Sequence, residues 1–236
     1  MKHLIIIIIL LFNLTLYSQE FDYLPTSTTG QIIEHTHYTF SYSEAHEQAE
    51  WVAYELTASE VNGSYDRTDN FRRDPEVETG SPSLADFKGS GYDRGHLAPA
   101  GDMTFSQTAM SESFYLSNMT PMEAGFNRGI WRVLESQVRD WASSNGSVYV
   151  VTGGILSGSY RDIGPNDVTV PSHYYKVVLD YDRGDSKAIA FILPNRKGTK
   201  SLQEYAVSID VVEQRTGIDF FHELPDNIEN KLEGSV

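Results

Sequence analysis

Hydrophobic and polar positions divide the chain into elements before any chemistry is considered. Residues 51–57 (WVAYELT) and 147–154 (SVYVVTGG) are apolar runs rich in β-branched and aromatic side chains, the composition of sheet strands. Residues 174–179 and 188–193 have the same character, and the intervening stretch 180–187, with Gly184, supplies a turn that would pair them. Elsewhere the period changes. From Asn127 onward Ile130, Leu134, Val138 and Trp141 recur at helical spacing as one apolar stripe. A second helix is predicted over 201–216, opened by a capping box of Ser201 and Glu204 and stopped by Gly217. Its inward face would hold Leu202, Tyr205, Ala206, Ile209, Val211 and Val212, with Phe220 and Phe221 sealing the core behind it. A short helical turn is expected at 43–48, a turn at Asn62-Gly63, a loop over 76–91 and a marginal helix at 226–233 within a C-terminal tail, 226–236. Elements mixed in this order predict an α+β domain over residues 35–225, a central and mainly antiparallel sheet flanked by helices.

The N-terminus follows another pattern. Lys2 precedes the apolar run 4–12, and the more polar residues after it include Ser18, so 1–19 reads as a secretory signal peptide. That run is far shorter than the roughly 20 residues a bilayer-spanning helix needs. The expected destination is secreted or periplasmic. Residues 20–34, with Pro25, Gly30 and several Ser and Thr, read as a flexible lead-in. The chain has no cysteine, which removes thiolate chemistry and cysteine-bound zinc, and leaves an exported protein dependent on its core.

Charge narrows the function. With 18 basic and 33 acidic residues the net charge is −15. Tight, sequence-blind nucleic-acid binding draws its affinity from basic groups neutralising phosphates, so that role is disfavoured. A catalyst that needs only a locally basic cleft is not.

The richest chemistry lies in residues 92–103, YDRGHLAPAGDM. His96 is the side chain able to act as base and then acid near neutrality. In an extended segment Arg94 points to the same side as His96, with Asp93 and Gly95 on the other. Taken alone, the segment could equally be a turn with a satisfied histidine. Asn118 follows in LSNMTP, and Asn127 stands at the start of the striped helix, placed to cap it or to bind an ion. Glu135, eight residues on, is rotated from Asn127 by roughly 80°, so the two can flank one cleft. Arg67, Arg72 and Arg73 in 65–75 are either phosphate contacts at a cleft edge or a loop paired with Asp66, Asp69 and Asp74. His35 and His37 lack a third ligand and read as surface histidines; His173 and His222 read as structural or exposed. Gly153-Gly154 reads as a strand end rather than a phosphate loop, because no GKS or GKT follows.

Together, YDRGHLAPAGDM, LSNMTP and GFNRGIWRVLE resemble the DNA/RNA non-specific endonucleases of the ββα-metal type, which include secreted bacterial nucleases and the mitochondrial endonuclease G group. The likeness extends from His35 to about Phe221. It implies the ββα-metal fold, with His96 as general base and Asn127 as direct ligand of a magnesium ion, for which manganese can substitute. It further implies that Glu135 holds metal-bound water, that Asn118 supports the histidine or the scissile phosphate, and that Arg94 neutralises that phosphate. Asp93 would have a structural part. The chain departs from the family pattern before the Asn-aromatic-basic run, where Asp69 stands in place of an arginine; Arg67 or Arg72 would serve instead.

The substrate so implied is DNA and RNA without sequence preference, cleaved to 5′-phosphate and 3′-hydroxyl ends. No base-reading module is visible in the sequence. The alternatives are a metal-dependent phosphodiesterase for a smaller substrate and a noncatalytic nucleic-acid-binding module.

Overall fold

A computed structural model describes residues 21–158, 161–181 and 185–235. The leader-like segment 1–19 and residues 182–184 of the expected turn lie outside them.

Chain order sets the architecture. Strands β1 (Ile32–Glu34), β2 (Thr39–Ser43) and β3 (Gln48–Thr57) come first and pair antiparallel. Because Ser43 pairs with Gln48, residues 44–47 must reverse the chain, with Glu47 at φ 51°; this hairpin turn stands where a helical turn was expected. The loop over 76–91 contains a short helix, α1 (Leu84–Phe87), capped by Ser83 and Asp86. Then β4 (Asp93–His96), α2 (Gln107–Glu112) and β5 (Met119–Met122) follow, β4 and β5 pairing antiparallel with His96 opposite Met119. Helical chain begins directly afterwards with α3 (Ala124–Phe126), a wide π turn over Asn127–Trp131, and α4 (Arg132–Asn145). The remainder supplies β6 (Ser147–Gly154), the small pair β7 (Arg161–Ile163) and β8 (Val168–Val170), then β9 (His173–Asp180), β10 (Lys187–Pro194), β11 (Ala206–Val207), α5 (Ile209–Thr216) and α6 (Asp226–Glu233).

The main sheet runs β1-β2-β3-β6-β9-β10-β11, antiparallel throughout. Both of its faces are covered, which is why its central strands read as unbroken apolar runs. Val52, Tyr54, Val150 and Val178 pack on one side with Trp131, Leu134 and Val138 of the α4 region. Trp51, Ala53, Val151 and Val177 pack on the other with Ile209, Val212, Phe220 and Leu232. The period of two sends alternate residues to two separate cores. Among the described residues no helix is long and apolar enough to cross a membrane.

Three further expectations are corrected. The helix over 201–216 is broken: the Ser201–Glu204 capping box forms, but it opens a 3-10 turn over Leu202–Tyr205. Ala206 and Val207 then pair with Phe191 and Ala190 of β10, taking backbone bonds a continuous helix would have used. Only α5 remains helical; Gly217 ends it at φ 77°, and Val211 faces outward. The lead-in is part of the fold. Phe21 stacks on Tyr181 at 4.4 Å, the Trp51 indole donates to the Thr26 carbonyl, and Thr28 N–H donates to the buried Glu50 carboxylate at 2.9 Å. His35 is buried, its Nε2 is 2.8 Å from Asp74 Oδ2, and its ring stacks on Tyr115 and Phe40. An acid thirty-nine residues away satisfies it, a partner that sequence proximity does not reveal.

The glycine pair at the end of β6 serves packing. A Cβ on Gly153 would lie 2.1 Å from the Glu50 carbonyl oxygen and 2.6 Å from the Tyr175 hydroxyl. Gly153→Ala is expected to cost about 1–3 kcal/mol, the range for overfilled cores, read as a lower urea midpoint with unchanged slope.

Candidate active site

Strand β4 divides its side chains as alternation requires. Arg94 and His96 face a cleft of about 580 Å³ that Asn127 and Glu135 also line. Gly95 faces Met122, whose sulfur would lie 2.2 Å from an added Cβ, so the two strands close only over a glycine. Asp93, also on that side, reaches the helical segment. Its carboxylate accepts a hydrogen bond from Asn127 Nδ2 at 3.0 Å and two from Arg128, at 2.8 and 2.6 Å. Burial alone would raise the Asp93 carboxyl, but the Arg128 and Asn127 donors and the Arg94 charge hold it below the usual carboxylate range.

With Asn127 Nδ2 engaged by Asp93, the amide oxygen is the atom of that side chain left to accept a hydrogen bond or ligate an ion. The wide turn contributes as well: it breaks the regular helical rotation between Asn127 and Glu135, and both line the same cleft. Gly129, at φ −106° and ψ −113°, is the residue that leaves helical geometry there.

His96 is 8% exposed, and its Nε2 is buried without a hydrogen-bond partner. Its ring meets Phe114 edge-on at 5.0 Å. Burial, with the Arg67 and Arg94 charges beside it, pushes the imidazole down to about 3, so it is neutral at physiological pH. Glu135 is pushed the other way, by burial and by the charge of Asp102, against the pull of Lys176 and Arg139.

The structure separates the remaining candidates. Asn118 is fully buried and does not reach the cleft. Its Oδ1 accepts from Ala98 N–H at 2.9 Å, and its Nδ2 donates to the carbonyls of Ala98 and Ser113. It therefore clamps the chain just after His96. Arg67 lines the cleft, its guanidinium 4.7 Å from the Phe114 ring and its Nε 2.6 Å from Asp69. Arg72 does not: its main chain pairs with Phe114 and Leu116, and its side chain donates to the Ser111 carbonyl at 2.8 Å and covers Tyr115 at 3.9 Å. His173 and His222 do not line the cleft.

Sequence reasoning missed four groups. Arg139 lines the cleft and donates to buried Asp102 at 2.7 Å, and Asp102 also accepts from the Tyr54 hydroxyl at 2.7 Å. Gly101 leaves room for this pair, since a Cβ there would lie 2.9 Å from Arg139 Nη1. Arg139 follows Glu135 by one helical turn, which was the available signal. Arg128 and Arg132 line the cleft too. Lys176, 1% exposed, donates to Thr152 Oγ1 at 2.5 Å with its ammonium 5.0 Å from the Trp131 ring.

The cleft and the hollow beside it are lined by six basic residues against three acidic ones, in a chain of net charge −15. His96, Asn127 and Glu135 line one cleft inside this basic patch, on a pair of strands followed by a helix. That is the arrangement of a ββα-metal nuclease. The chain belongs to the DNA/RNA non-specific endonuclease family, which it matches over residues 20–227. It is 39% identical over 215 residues to Nuclease C1 of Cunninghamella echinulata var. echinulata, covering 84% of this chain and 85% of that one. It is 34% identical over 224 residues to the mitochondrial nuclease EXOG of Homo sapiens, covering 87% of this chain but 60% of that longer protein. A solved structure of an EndoG/EndoGI complex, concerned with EndoG inhibition, superposes with a TM-score of 0.78 at 32% identity, covering 83% of this chain and 87% of that one. The chain is a nucleic-acid-hydrolysing enzyme by this membership.

Arg67→Ala is expected to lower kcat/KM at least roughly tenfold, the scale of one charge-assisted contact, while Arg72→Ala shifts the melting temperature and leaves kcat/KM within about threefold. Steady-state kinetics beside thermal melts distinguish them. For His96, the unfolded imidazole takes its proton near 6.5, well before the folded one at about 3. Its contribution to stability is complete above the unfolded value and is lost as pH falls toward the folded one. Between these values the stability of His96→Gln, followed by circular dichroism, is expected to fall less steeply than that of the parent.

Proposed function

We propose that the chain is a metal-dependent endonuclease that hydrolyses phosphodiester bonds of DNA and RNA without sequence preference, leaving 5′-phosphate and 3′-hydroxyl ends. The observation that carries this reading is the meeting of a neutral imidazole, an amide oxygen and a carboxylate in one arginine-lined cleft. His96 acts as the general base, taking a proton from the attacking water through the ring nitrogen that is not sealed in the interior. Its low proton affinity keeps it in the accepting form. Arg94 and Arg67 bind and neutralise the anionic phosphate. Asn118 holds the turn that aims His96.

The donor set fits a hard cation. Asn127 would ligate it through the oxygen that its bond to Asp93 leaves to the cleft, and Glu135 would hold it through water. Magnesium favours oxygen ligands and retains waters, which suits so sparse a protein contribution, and manganese can substitute. Such an ion, when bound, supplies Lewis-acid stabilisation of the charge growing on the phosphate and the departing oxygen. Recognition by Arg67 and Arg94 is of backbone phosphates, which sets no base preference.

Incubation with plasmid DNA and with RNA, in magnesium and in chelator, tests the reading. Cleavage is expected in magnesium alone. His96→Ala is expected to lower turnover at least about 10²-fold with the fold retained. Asn127→Ala is expected to raise the magnesium concentration needed for half-maximal rate. Near-normal turnover in the first variant, or an unchanged metal titration in the second, would overturn the corresponding assignment.

A further inference from the structure

The cleft continues past the catalytic groups into a second hollow of about 560 Å³, which shares Arg67, Arg94, Asn127 and Arg128 with it. The two halves differ in chemistry. Around His96 the wall is made of guanidinium groups and the small residues Pro99, Ala100 and Gly101. The second half has an apolar wall of Leu84, Phe87 and Tyr92, with the exposed Lys88 beside it.

This wall is continuous with the core behind it. Leu84 is 47% exposed on the helix that buries Asp86 and Phe87. Tyr92 is backed by the buried cluster of Phe87, Leu116 and Met119. Phe71 also lines the hollow, but the Arg94 guanidinium lies over its ring at 4.1 Å. The apolar part of the surface facing the hollow is therefore chiefly Tyr92 and Leu84, and the rest is polar, with Asp69 and Asp93 beside the shared arginines.

We propose that this hollow is a nucleoside subsite, which takes the sugar and unstacked base of one nucleotide flanking the cleaved phosphate. This rests on the nuclease reading of the adjoining cleft and deepens it. The shared arginines hold the scissile phosphate at the junction of the two halves. The next parts of a polynucleotide are a sugar and an apolar base face, then another anion, and the wall presents apolar groups with a cation in reach. The volume suits an organic ligand of this size, within the roughly 300–1,000 Å³ of small-molecule sites. The base lies against Tyr92 and Leu84, and Lys88 meets the neighbouring phosphate. A base stacked and paired in a duplex cannot enter without being extruded, so the subsite favours single-stranded or loosely paired substrates.

The test uses a single-stranded oligonucleotide with one ordinary phosphodiester among phosphorothioate linkages, its base intact or removed on either side of that bond. In the parent protein, removing the base on one side is expected to raise KM roughly 5- to 100-fold, the scale of one base–aromatic stack, with little change in kcat. In the double variant Leu84→Ser/Tyr92→Ala, folded by circular dichroism, base removal is expected to change KM less than about twofold. No effect of base removal on either side, or an equal effect in parent and variant, would overturn the subsite. Fluorescence anisotropy of the same oligonucleotides in chelator reads binding without hydrolysis and is expected to show the same discrimination. Base-dependent binding without cleavage in magnesium would end the nuclease reading and keep the subsite. Cleavage and binding that ignore the base would do the reverse.

Discussion

One carboxylate ties the site together. Asp93 stands on a strand, and its three hydrogen bonds come from residues of the wide helical turn, Asn127 and Arg128. The register that points Asp93 toward the helix also points Arg94 and His96 into the cleft, because neighbouring strand residues face opposite ways. A slip of one residue would exchange the two roles and leave neither. The orientation of the Asn127 amide, and hence the oxygen it offers, follows from the same contact. Strand, turn and helix are thus joined by one group at the edge of the second hollow.

The electrostatics are local rather than global. The chain is strongly acidic, yet basic side chains dominate the cleft. Beneath it lie charges that burial works against: Asp102, raised by its surroundings, and Lys176, lowered by its own. Each is held by specific partners, Tyr54 and Arg139 for the acid, Thr152 and Trp131 for the amine. Glu135 is raised first by its own burial, and the charges of Lys176 and Asp102 then act on it in opposite directions. Removing one member of such a set leaves an uncompensated buried charge, which costs more than the pair is worth.

Much of this was legible in the residues. The apolar runs marked strands because both faces of the sheet are buried, and the stripe of Leu134 and Val138 marked the helix between them. The spacing within YDRGH placed His96 and Arg94 on one side. What stayed hidden depends on contacts between distant segments. Nothing in 65–75 separates Arg67 from Arg72; pairing of the Arg72 main chain with Phe114 and Leu116 does, by sending its side chain to Ser111 and Tyr115. Lys176 sits in a run that otherwise reads as core, and only the folded sheet shows that its charge lies under the site. The break in the helix over 201–216 comes from a two-residue strand whose partner is β10. The wide turn at Asn127 carries no periodic signature at all.

The burial of His96 Nε2 leaves the tautomer of the ring to its other side. Among the described residues no protein group bonds Nε2 beside Phe114, so a donor or acceptor that meets the second ring nitrogen from the cleft decides which nitrogen carries the proton. The protonation pattern of this imidazole is thus set by what enters the cleft and not by the scaffold behind it.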